Sequence, residues 1–115
     1  GENGAGKSTL MKVLAGFIRA HKIDALISYH SAGLGIFAGG ISPTRSSRRL
    51  ATALSQVSFY SYPPVYTGCD FTGQFIDWAA AQEIAAVDVE LSTHTELDLA
   101  VNLRILSAFL NWSKE

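Results

Sequence analysis

The stretch Ile23-Asp24-Ala25-Leu26-Ile27-Ser28-Tyr29-His30-Ser31-Ala32-Gly33 decides how the chain is read. Its opening residues are mostly apolar or aromatic, too continuous for a strand with one wet face. Such a run, with Gly33 and Gly35 behind it, reads as a strand buried inside an α/β sheet. His30 falls where that strand gives way to a loop, and open α/β sheets bind ligands outside the carboxyl ends of their strands. An isolated histidine in this place reads as a rim residue with a satisfied hydrogen bond. A chemical role needs a partner elsewhere, and Glu90 is the candidate.

Working outward, Ser31 to Gly40 holds four glycines around Leu34, Ile36 and Phe37, which suggests a loop and a short extended segment. Ile41 to Arg45 reads as a turn. Ser46 or Ser47 is expected to cap a helix running to about Val57, with Leu50, Ala51, Leu54 and Val57 on one face. In the aromatic run Phe59 to Tyr66, paired Pro63 and Pro64 forbid a central strand, so it reads as a strand end followed by a long loop. Gly73 to Gln82 is rich in helix formers. Ala85 to Leu91 alternates as a strand should, placing Ala86, Asp88 and Glu90 on one face and Val87, Val89 and Leu91 on the other. Thr95 is expected to cap a last helix whose packing stripe is Leu97, Val101, Leu103, Leu106, Phe109 and Leu110. The fold class expected is α/β, a partial mixed β-sheet with flanking helices.

Composition narrows the function classes. The chain has 115 residues, enough for one domain that buries about two-thirds of the surface its unfolded form exposes. Hydrophobic residues make up 48% and charged residues 17%, which describes a globular chain rather than a disordered one. Nine basic against ten acidic residues, with no dense basic stripe, ask for no nucleic-acid partner. Cys69 is the only cysteine, so an intrachain disulfide and a Cys-rich metal site are excluded. No apolar run approaches the ~18 residues of a membrane span. The chain opens on Gly1 and not on Met, and is expected to be a fragment. Oligomeric state leaves no mark in these residues.

The first sixteen residues carry their own signal. Gly1-Glu2-Asn3-Gly4-Ala5-Gly6-Lys7-Ser8 fits Gly-x4-Gly-Lys-Ser/Thr, in which glycines turn backbone N–H groups toward phosphates. Lys7 would reach the terminal phosphates and Ser8 would bind Mg²⁺. Residues 1–16 resemble the Walker A segment of ABC-transporter ATPases. That resemblance implies an ATP/Mg²⁺ site at Gly1, Gly4, Gly6, Lys7 and Ser8, one alternative function for this chain, a non-catalytic remnant being the other. No Walker B run ending in Asp-Glu follows, and no Leu-Ser-Gly-Gly signature. The expectation is therefore a P-loop-like scrap over 1–16, joined to a different unit over 17–115.

Two strands end in ionisable residues, His30 and Glu90, each followed by a loop. A neutral imidazole is a good Zn²⁺ ligand, and a nearby carboxylate can move protons for an attacking water. From Phe17 to Trp112 the chain resembles the C-terminal half of the zinc carboxypeptidase family. The matching pieces are Tyr29-His30-Ser31, the loop with Gly39-Gly40, Tyr66, Thr72-Gly73-Gln74-Phe75-Ile76-Asp77-Trp78 and Ala86-Val87-Asp88-Val89-Glu90-Leu91. The resemblance implies a zinc-dependent hydrolase that removes C-terminal residues from peptides or cell-wall peptides. It makes His30 the third zinc ligand and Glu90 the catalytic glutamate. It also makes Ser31 a shaper of the substrate subsite and Tyr66 the mobile tyrosine that closes over substrate. Ile76 falls near the position lining the side-chain specificity pocket, where an apolar residue points to apolar substrates.

The family's first two zinc ligands come from His-x-x-Glu, and no such motif exists here: His21 precedes Asp24, His30 precedes Gly33 and His94 precedes Leu97. The Asn-Arg pair and the further arginine that grip substrate are missing as well. The ligand set for Zn²⁺ is thus incomplete, and this chain alone is expected to be inactive.

Overall fold

The computed structural model describes residues 10, 12–18, 20–65 and 73–114. Three strands form one mixed sheet: β1 (Ala25–Ser31), β2 (Gly35–Ala38) and β3 (Ala85–Leu91), in the order β1-β3-β2. β3 runs parallel to β1 and antiparallel to β2. Among the described residues four helical segments flank it: α1 (residues 12–18), α2 (Arg45–Ser55), α3 (Phe75–Ala81) and α4 (Leu99–Asn111). α1 crosses the boundary between residues 16 and 17, where one resemblance gives way to the other. Among the described residues no helix is long and apolar enough to cross a membrane.

β3 is buried through Val89 because helices cover both faces of the sheet. On one face Ala85, Val87 and Val89 join Ile36, Leu50, Ala51, Leu54, Tyr60, Val101 and Ile105, the cluster under α2 and α4. On the other, Ala86 joins Ile18, Ile76, Ala79 and Ile84, with Leu26, Phe37, Phe75 and Trp78 packed around them under α1 and α3. Gly39 lets β2 pass against α3: its N–H donates to the Ala86 carbonyl at 2.8 Å, and a Cβ there would run into the Ile76 carbonyl oxygen. Gly40 holds φ +119°, the glycine-favouring half of backbone space, and its N–H donates to Asp77 Oδ1 at 3.0 Å.

Strand β3 matches the expected 85–91, and β1 lies within the expected stretch. The helix caps differ. Thr44 caps α2, because Ser47 is fully buried and spends its Oγ accepting from Ala86 N at 3.0 Å and from Thr44 Oγ1 at 2.8 Å. Asp98, not Thr95, precedes α4; Thr95 N turns back to Thr93 Oγ1 at 3.2 Å. Residues 59–65 contain no strand; the segment touches β2 through one backbone bond, Ile36 N to Ser61 O at 2.9 Å.

The stripe expected on α4 divides. Val101 and Ile105 face the core, with Phe109 packed beside them. Leu103, Leu106 and Leu110, together with Leu99, stand about half a turn away and are 49–72% exposed. Leu97, before the helix, is exposed too. A helix apolar on two adjoining faces satisfies the 3.6-residue period on either, so periodicity could not choose the buried one.

Candidate functional site

The parallel register sets Ser28 beside Asp88 and His30 beside Glu90, while Phe37 of β2 lies opposite Asp88. Because side chains alternate along a strand, these residues share one face of the sheet. The pair expected from the sequence, His30 and Glu90, is therefore brought together at the carboxyl ends of two adjacent parallel strands. Glu90 Oε2 accepts from Gly33 N at 3.2 Å, so the loop after β1 steadies the carboxylate.

Sequence reasoning put Asp88 on this face but gave it no role. Its side chain is 8% exposed, against 53% for His30, and Oδ1 lies 3.4 Å from His30 Nε2. Ser28 Oγ lies 3.2 Å from the same nitrogen. Burial pushes the Asp88 carboxyl above the ordinary aspartate range; the His30 charge and the Ser28 hydrogen bond draw it back. Since the serine and the aspartate both meet Nε2, the three do not form a nucleophile-base relay, which needs a different ring nitrogen for each partner. A usable signal is present: an aspartate in the middle of a strand, flanked on both sides by Ala and Val, has to be paired.

A cavity of about 480 Å³ opens over this face. Leu14 and Ile18 of α1, Leu26 of β1 and Phe75 of α3 wall it, and Ser28, His30, Gln74, Asp88 and Glu90 supply its polar surface. Its size falls in the range of ~300–1,000 Å³ usual for small-molecule sites.

Of the other expected site residues, the two that are described stand apart from this cluster. Ser31 points from the opposite face of β1, exposed, with Oγ 3.2 Å from His94 Nδ1. Ile76 is 1% exposed and sits in the apolar cluster with Ala79, Ile84 and Ala86. Tyr66 and the nucleotide-site residues Gly1, Gly4, Gly6, Lys7 and Ser8 lie outside the described residues.

A catalytic zinc takes three protein ligands. Among the described residues no group of three or more His, Cys, Asp or Glu side chains could hold a metal ion. Among the described residues His30 with its neighbours does not complete a zinc site. No protein-family model, no curated protein and no solved structure matches the chain.

On the far face of the sheet a second polar network ties β1 to α4. Tyr29 OH donates to Asn102 Oδ1 at 2.9 Å, Asn102 Nδ2 donates to Tyr60 OH at 3.1 Å, and Tyr60 OH donates to Asp98 Oδ2 at 2.6 Å. Ser92 donates to Asp98 through its hydroxyl at 2.7 Å and its N–H at 3.0 Å. These bonds, that from Tyr60 first, hold the Asp98 carboxyl below its ordinary range, while burial and Asp98 push the Tyr60 phenol up.

Proposed function

We propose that residues 17–115 carry part of the catalytic face of a metallocarboxypeptidase-type peptide hydrolase. In this reading His30 is one ligand of the zinc and Glu90 is the general base. The observation that carries it is the pairing of His30 with Glu90 in register, on one face, at the carboxyl ends of adjacent parallel strands. The cavity beside them gives a peptide end somewhere to sit. Glu90 takes a proton from the attacking water and returns it to the leaving amine. Gly33 N–H holds that carboxylate toward the strand ends. These 115 residues contain no His-x-x-Glu to supply the remaining metal donors.

The test is release of the C-terminal residue from an N-blocked peptide by a longer chain that joins these residues to a His-x-x-Glu segment. Glu90→Gln is expected to lower kcat by about 10²–10⁴-fold, the usual worth of a positioned acid-base group. Undiminished turnover in that variant would overturn the reading.

A further inference from the structure

The outer side of α4 is apolar where a surface helix ordinarily turns polar residues to water. Leu99, Leu103, Leu106 and Leu110 are all exposed and follow one another at alternating steps of four and three residues along the helix. That spacing is the a/d seam of a coiled coil, sustained over ~17 Å of helix. Ala100 and Ser107 on one flank of the seam are small and exposed. On the other flank the amide of Asn102 is spent on Tyr29, Tyr60 and the Leu97 carbonyl. Arg104 is the only charged residue of α4, and its Nε turns aside to donate to the Val57 carbonyl at 3.1 Å. No charge therefore stands in the seam.

The spacing reads the same from either end of the helix. An antiparallel second copy of α4 sets Leu99 against Leu110 of that copy and Leu103 against its Leu106, about a two-fold axis between them. An isologous dimer requires this kind of self-complementarity. The four leucines, with Leu97 and the small residues beside them, present roughly 500 Å² a side, so two copies cover about 1,000 Å², the lower limit for a specific interface. A free helix of this length is marginal in water. Here Val101 and Ile105 already anchor α4 to the core, so pairing does not have to order it.

We infer that the outer face of α4 is the interface of a symmetric dimer, in which two copies of this chain pack their α4 leucines antiparallel. α4 lies on the sheet face opposite the His30–Glu90 cavity, so pairing leaves the cavity of each copy open. Dimerisation and the hydrolytic reading are thus independent.

Sedimentation equilibrium of the purified chain is expected to show monomer near ~1 µM and dimer near ~300 µM, with a Kd on the order of 10–100 µM for an interface of this size. Leu103→Gln or Leu106→Gln, each occurring twice across the axis, is expected to raise that Kd at least about 10-fold. Ile41→Gln, at an exposed position in the turn before α2, is expected to leave it unchanged. Unfolding measured at ~1 µM, below the Kd, checks that each variant keeps its fold. Leu99→Glu and Leu110→Lys are each expected to weaken pairing alone and to recover it on mixing, because the antiparallel seam sets the introduced carboxylate against the introduced ammonium. A monomer at every concentration would give this face to some other protein segment and overturn the dimer. Growth beyond two copies, a Kd indifferent to both glutamine variants, or an equal loss of pairing in Ile41→Gln would overturn it too. No recovery on mixing would overturn the antiparallel register.

Discussion

The two faces of one short sheet have been built to different ends. Under α2 and α4, Ala85, Val87, Val89 and Ile36 pack mostly against hydrocarbon, with the buried Ser47 hydroxyl bonded to Ala86 N, until the strand ends, where the Tyr60–Asp98–Asn102 network closes the layer. Under α1 and α3 the hydrocarbon stops halfway, at Leu26 and Ala86, and Ser28, His30, Asp88 and Glu90 take over. Even the aspartates differ: burial drives Asp88 up, and hydrogen bonds hold Asp98 down. One face stores stability. The other gives some of it up to keep ionisable groups beside a cavity, a common arrangement at functional sites.

The comparison can be broken most forcefully on the storage face. Leu54→Ala, at a fully buried position, is expected to cost about 2–5 kcal/mol in urea unfolding. A cost under 1 kcal/mol would mean that the α2 layer is loosely held and the faces are alike. Next comes Asp98. Its folded pKa lies below the ordinary aspartate value of 3.8, so its stabilising effect is present above that value and lost as pH falls through the lower folded one. Tyr60→Phe removes the leading cause of the shift. It is expected to cost roughly 0.5–1.5 kcal/mol at neutral pH and to flatten the acid limb of the stability–pH curve, measured by unfolding from pH 2 to 6. An unchanged acid limb would take Asp98 out of the account. The smallest effect is expected on the outer side of α4: Leu106→Gln should change stability by no more than about 0.5 kcal/mol. A large loss there would mean that this leucine is buried in solution.

Much of this division could be read from residue order. The alternation Ala86-Val87-Asp88-Val89-Glu90 assigns β3 and its two faces without reference to any neighbour, because a strand has period two. His30 could be singled out by its place at a strand end, and its pairing with Glu90 needed only that β1 and β3 be adjacent. What could not be read depended on contacts distant in sequence. Ser47 is lost as a cap because Ala86 N, 39 residues away, uses its hydroxyl. Asp98 precedes α4 because Tyr60 and Ser92 hold its carboxylate. The cavity walls bring Leu14 of α1 and Phe75 of α3, far apart in sequence, together on one face of the sheet, which local periodicity does not encode.

The strand order has a mechanical consequence. β3 is clamped between two strands and two helical layers, so Asp88 and Glu90 ride on the part of the molecule that opens last. β1, among the described residues, has one strand neighbour and lifts toward solvent over Tyr29, His30 and Ser31. The carboxylates are the anvil. Any adjustment of the gap between acid and imidazole is made by the histidine's strand moving against them.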